Sequence, residues 1–132
     1  MNTNNQINES KATAQNEVTT NLVMRHLNSF LVHDLESLVS DYTDMSVFMT
    51  QDATYTGKKE IQQFFTSLLT HFPKEQYQFE LDKMEVKDKL GFIIWHAVTP
   101  SLLVPFGTDT FIINDEKIVQ QTFAGQLNFI SR

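Results

Sequence analysis

The chain has 132 residues, 41% of them hydrophobic, with eleven Phe and one Trp, so one domain with an aromatic-rich core is expected and a disordered or fibrous chain is excluded. Sixteen acidic against ten basic residues leave a formal charge of −6, which opposes binding to nucleic acid and to anionic membrane surfaces. The absence of cysteine rules out disulfides, thiolate nucleophiles and thiolate-held metals, and suits a reducing, cytoplasmic setting.

Residues 1–17 are mostly Asn, Gln, Ser, Thr and Ala, with Ile7 as the apolar exception and no hydrophobic run of the kind a signal peptide carries. They read as a disordered tail, and the folded domain is placed at residues 18–132. Between Val18 and His33, Leu22, Val23, Leu27, Phe30 and Leu31 fall on one arc of a helix, with Arg25, Asn28 and Ser29 outside it. His26 lies inside that arc, which leaves two readings, a hydrogen-bonded core histidine or a group facing a cavity.

Asp34 is a good N-cap, and Leu35, Leu38, Val39 and Tyr42 behind it share one face, so a second helix is expected to run through Tyr42. Val47 and Phe48 are β-prone, Asp52-Ala53 reads as a turn, and Tyr55 leads into Thr56-Gly57 at the start of a third helix. There Ile61, Phe64, Phe65, Leu68, Leu69 and Phe72 make a wide apolar stripe, which Pro73 ends.

From Tyr77 onward the pattern is that of four strands. Tyr77, Phe79 and Leu81 alternate, then Met84 and Val86 continue on the opposite parity, which predicts a bulge near Asp82-Lys83. Residues Phe92 to Val98 are apolar on both parities, with Ile93, Trp95 and Ala97 on one face and Phe92, Ile94, His96 and Val98 on the other. Leu102 to Ile113 and Ile118 to Ile130 follow, separated by a turn at Asn114-Asp115-Glu116. With no helix between these strands, consecutive antiparallel hairpins are the simplest topology. The fold class is therefore α+β, with three N-terminal helices packed on a curved antiparallel sheet that encloses a pocket. The second apolar face of the Phe92 strand needs a cover, and a second copy of the chain, giving a homodimer through the sheet, is the expected one.

Three segments, HDLESLVSDYTDMSVF, TYTGKKEIQQFF and GTDTFIINDEKIVQQTF, in this order and spacing, resemble the nuclear transport factor 2-like superfamily, which includes SnoaL-like polyketide cyclases and ketosteroid isomerase. The resemblance spans about Val18 to Phe129 and implies a cone-shaped, cystatin-like fold with an apolar cavity for small cyclic or polyketide-like ligands, and frequent dimers through the sheet. Carried across residue by residue, it puts the isomerase's proton-shuttling base at Thr50, which has no basic group at neutral pH, so ketosteroid isomerase activity is not expected. Its oxyanion-binding tyrosine falls at His26, a supporting tyrosine is matched by Tyr42, a third is replaced by Phe65, and its acidic partner is matched by Asp109.

Asp109 shares its parity with Phe111 and Ile113, so it is either a cavity carboxyl of raised pKa or a rim carboxylate satisfied by Thr108, Thr110 or water. Asp109 and His26 are the candidate catalytic pair if they meet, and Tyr42, Tyr55, Thr50, Phe65, Trp95, His96 and Phe111 are candidate ligand contacts. Trp95 and His96 point to opposite faces, and parity alone leaves open which one faces the cavity. The four histidines lack metal-ligand spacing, and neither a phosphate-binding glycine loop nor a serine nucleophile elbow is present, so no metal or other cofactor is expected. Two functions follow: a cofactor-free acid/base enzyme of cyclase, isomerase or dehydratase type acting on a hydrophobic carbonyl compound, or a non-catalytic module of the same fold that binds a ligand or a protein.

Overall fold

The computed structural model describes residues 3–130, with side chains described from residue 11 onward. Helix α1 runs Thr3–Leu31. Its second half buries Leu22, Val23 and His26 and packs Leu27 and Phe30 against the core. The stretch read as a disordered tail is instead helical from Thr3, and residues 1–2 lie outside the described residues. Packing of the second half carries the cost of nucleation, after which each added residue gains a backbone hydrogen bond even without an apolar stripe. Side chains fasten the middle of this helix, since Asn16 Oδ1 accepts from the Asp88 N–H at 2.6 Å and Thr19 Oγ1 donates to the Asp88 carbonyl at 2.6 Å.

The helix ends at Leu31, and the φ of 60° at His33 lets the His33 and Asp34 N–H groups turn back to the carbonyls of Phe30 and Ser29, satisfying the last turn. Asp34 then caps α2 (Leu35–Ser40) by accepting from the Ser37 N–H at 3.1 Å. This helix is shorter than its sequence pattern. Tyr42 is buried as expected but opens strand β1 (Tyr42–Thr50), where it pairs with Ile118, so sheet pairing overrides the helical spacing. A hairpin joins β1 to β2 (Thr54–Thr56), and α3 (Gly57–Leu69) follows at once. Gly57 has a φ of 83°, and a Cβ there would lie 2.9 Å from the Asp44 carbonyl oxygen, so the abrupt strand-to-helix turn requires glycine.

Strands β3 (Gln78–Lys87), β4 (Leu90–Val98), β5 (Leu102–Asn114) and β6 (Lys117–Phe129) form the antiparallel meander, in a six-stranded sheet of order β2-β1-β6-β5-β4-β3. The sheet as a whole is mixed rather than antiparallel throughout, because β1 runs parallel to β6. After α3 the chain re-enters at the far edge and works back through three hairpins, which brings β6 beside β1 in the same direction. The predicted bulge appears as a register shift between Leu81 and Lys83, and further shifts at Trp95/Ala97 and Leu103/Phe106 bend the long strands. The sheet is curved but unclosed. Its inner face and the helices bury Phe48, Ile61, Phe65, Phe72, Ile93, Leu102 and Phe111 in one core. Among the described residues no helix is long and apolar enough to cross a membrane.

Candidate functional site

A cavity of about 460 Å³ is lined by α1, α3 and the inner face of the sheet. Most of its wall is apolar, from Leu27, Phe30, Phe48, Phe64, Phe65, Leu68, Phe79, Ile93, Phe111, Phe123 and Leu127. Against that wall stand Asp109 and Gln121, which neighbour each other on β5 and β6: Phe111 pairs with Gln121 and Asp109 with Phe123, so all four share the inner face.

Asp109 is 8% exposed and both its oxygens accept hydrogen bonds, Oδ2 from Trp95 Nε1 at 2.8 Å and Oδ1 from Gln121 Nε2 at 2.9 Å. The Trp95 indole reaches it because Gly107, its partner on β5, has no side chain, and a Cβ there would lie 2.9 Å from Trp95 Cε2. Burial raises the Asp109 pKa, the hydrogen bonds from Trp95 and Gln121 and the charge of His26 pull it back, and the result is a carboxyl at about 6 against an ordinary 3.8.

From Asp109 a hydrogen-bonded chain runs away from the cavity wall. Gln121 Oε1 accepts from Tyr42 Oη at 2.5 Å, and Tyr42 Oη lies 3.1 Å from His26 Nε2. His26 Nδ1 lies 3.2 Å from Asp41 Oδ2, and Asp41 Oδ1 accepts from Arg25 Nη2 at 2.8 Å and Nε at 3.3 Å. Every side chain between Arg25 and Asp109 is buried. Burial pushes the Asp41 carboxyl up, but hydrogen bonds and charge from His26 and Arg25 outweigh it and hold the group below the ordinary carboxylate value. Tyr42 is pushed well above the ordinary phenol value by burial and by the charges of Asp109 and Asp41, so it keeps its proton. Among the described residues no buried side-chain nitrogen or oxygen lacks a partner.

His26 and Asp109 thus both border the cavity, but they do not touch; Tyr42 and Gln121 stand between them. Trp95, Tyr55, Phe65 and Phe111 line the cavity, whereas Tyr42 stands behind the wall as a hydrogen-bonding link. Two candidate ligand contacts are corrected. His96 lies on the outer face of β4 with its Nδ1 2.7 Å from Asp82 Oδ2, because strand alternation gives the inner face to Trp95. Thr50 faces the β1–β2 turn, where its Oγ1 accepts from the Asp52 and Ala53 N–H groups at 3.2 and 3.1 Å and donates to the Ala53 carbonyl at 3.2 Å. That hydroxyl organises the turn and contributes nothing to the cavity wall.

Several site residues escaped the sequence reading. Gln121 looked like one of two consecutive strand glutamines, and only the β5–β6 register shows that it, and not Gln120, faces Asp109. Asp41, which no sequence pattern singles out, follows α2 and is 1% exposed. Asp52, Gln63, Ser67 and His71 also border the cavity, and His71 Nδ1 lies 2.7 Å from Ser101 Oγ.

No protein-family model matches the sequence, and no curated protein matches it. Solved structures do. One is a protein from Kribbella flavida assigned as a ketosteroid isomerase, at 9% identity with a TM-score of 0.71 over 89% of this chain and 84% of that one. Another is assigned as a polyketide cyclase from Sinorhizobium meliloti, at 15% identity and TM-score 0.66 over 78% and 93% of the two chains. A nuclear transport factor 2-like protein of unknown function from Mesorhizobium loti is 18% identical, with a TM-score of 0.71 over 85% and 93%. At such identities the shared property is architecture, which by itself carries no particular chemistry. The chain has the nuclear transport factor 2-like fold.

Proposed function

We propose that this chain is a cofactor-free proton-transfer enzyme that holds a hydrophobic carbonyl compound in its cavity, with Asp109 as the base. The observation that carries this reading is the Asp109 carboxyl, set into an apolar wall with a pKa of about 6. At pH 7 such a group is about nine-tenths ionised, yet is roughly a hundredfold stronger as a base than an ordinary aspartate. The two N–H groups aimed at its oxygens suit the acceptor role of a carboxylate. Gln121 and Trp95 orient the carboxylate, while the aromatic wall excludes water and binds the body of the ligand. The likeness to structures assigned as a ketosteroid isomerase and a polyketide cyclase supports this class of substrate without naming one.

The test is exchange of the α-hydrogens of small cyclic ketones in deuterated buffer, followed by proton NMR. Wild-type protein accelerates the exchange, with a rate that rises through pH 6, and Asp109→Asn abolishes it while retaining binding. Binding of the ketones with no exchange above buffer would overturn the enzymatic reading and favour a non-catalytic binding module of the same fold. We also propose that the outer face of β4 pairs with a second copy, since Leu90 and Val98 are exposed there beside half-buried Phe92 and Ile94.

A further inference from the structure

The chain of polar groups behind the cavity has a fixed number of protons to distribute. Asp41, held ionised by Arg25, can only accept, so His26 Nδ1 must carry a hydrogen. Gln121 gives its N–H to Asp109, so its oxygen faces Tyr42 and takes the single hydroxyl proton of Tyr42. Nothing then remains for Tyr42 to donate to His26, and His26 Nε2 must also be an N–H, donating to Tyr42 Oη. With Asp109 ionised, full satisfaction of the chain requires a doubly protonated His26.

If Asp109 gains a proton on Oδ1, that O–H needs an acceptor, and a half-turn of the Gln121 amide supplies its oxygen. The Gln121 N–H then points at Tyr42 Oη, the Tyr42 hydroxyl turns to His26 Nε2, and that nitrogen must be bare. The two fully satisfied arrangements hold the same number of protons: Asp109 carboxylate with His26 imidazolium, or Asp109 acid with neutral His26. We propose that Gln121 couples these two residues, so that the cavity carboxylate gains a proton more readily when His26 gives one up. One O–H bond forms on Asp109, one N–H bond breaks at His26 Nε2, and net charge is unchanged. Both groups border the cavity, so a ligand or a water there can deliver the one proton and receive the other. The other groups packed around His26, Phe65 from α3 and Phe111 from β5, are apolar, so the charged groups that act on it are Asp41, Arg25 and Asp109.

The coupling concerns the protein without ligand and therefore stands or falls separately from the proposed activity. It is tested on the full labelled chain at pH 7 by nitrogen–hydrogen correlation of the histidine rings. Wild-type His26 shows protons on both nitrogens. Asp109→Asn locks the second arrangement, because the asparagine N–H needs the Gln121 oxygen, and the ratio of doubly to singly protonated His26 falls at least about tenfold, the mark of strongly interacting sites. In a Gln121→Met background the same substitution changes that ratio less than about twofold, since the amide link is gone. Tyr42→Phe serves as the alternative break if Gln121→Met does not fold. A singly protonated wild-type His26, an unchanged ratio in Asp109→Asn, or an equal change with and without the link would each overturn the proposal; the last would reduce the effect to charge acting through space.

Discussion

Replacing Trp95 by Phe removes one hydrogen from the site, the indole N–H that Asp109 Oδ2 accepts at 2.8 Å, and leaves an aromatic ring on the wall. A hydrogen bond to a charged group is worth about 1.5–3 kcal/mol, and each pH unit of carboxyl titration corresponds to about 1.4 kcal/mol. Loss of this donor should therefore carry Asp109 from about 6 to about 7 or 8. At pH 7 the carboxylate fraction would drop from about nine-tenths to half or less, and the rate of ketone exchange with it. The assay is paired: carbon NMR titration of the Asp109 carboxyl in both proteins, and α-hydrogen exchange from pH 5 to 9. The rate profile of Trp95→Phe should rise at the higher pH where its Asp109 titrates, recovering at alkaline pH. An unchanged Asp109 titration in a folded Trp95→Phe protein would show that the indole does not hold the carboxylate, and the account of the site would fail there.

Other outcomes follow from the same geometry. Asp109 is raised in the folded chain, so the folded state keeps its proton longer; the stability it contributes is complete below pH 3.8 and is lost as pH climbs past about 6, a decline of about 2 kcal/mol visible in urea unfolding between pH 4 and 7. Asp41 has the opposite sign: it is lowered, so its stabilisation exists above pH 3.8 and vanishes on further acidification, and unfolding midpoints should drop again below pH 4. Gly107→Ala would push a methyl group within 2.9 Å of the Trp95 ring, costing about 1–3 kcal/mol of stability and shifting Trp95 fluorescence as the indole leaves Asp109. Thr50→Val should lower stability by about 1 kcal/mol through its turn hydrogen bonds while leaving ketone exchange unchanged; a loss of exchange would return Thr50 to the site. Sedimentation at micromolar concentration should give a dimer, and Val98→Lys, on the exposed outer face, should make it monomeric; a monomeric wild-type protein would remove that proposal.

Much of the architecture was readable because it rests on local rules. The stripe gave α3 from Ile61 to Leu69, with Phe72 buried in the turn beyond it, strand alternation gave the meander, and the parity break after Leu81 marked the bulge where the register slips. What local rules missed was set by partners distant in sequence. Tyr42 fits the face of α2 by spacing but is claimed by Ile118 on β6, and the parallel pairing of β1 with β6 depends on a return across the whole sheet. The polar end of the N-terminal helix carries no apolar period to read, yet it is extended from a packed segment. At the site, Asp109 was legible because a carboxyl amid Phe111 and Ile113 on one strand face demands an explanation. Gln121 and Asp41 were not, since glutamine in a strand and aspartate after a helix are ordinary until the fold buries them. Of the positions that the resemblance picks out, His26 and Tyr42 lie in one polar network, while Thr50 lies in the turn rather than the cavity wall.

Following the Asp109 carboxyl carbon through a pH titration of the wild-type protein measures whether this residue is, as proposed, a base poised near neutrality. The expected midpoint is about 6, with the Trp95 indole proton shifting through the same transition because its nitrogen donates to that carboxyl. A midpoint at or below the ordinary 3.8 would contradict it, since Asp109 would then be a stably paired carboxylate with no heightened basicity.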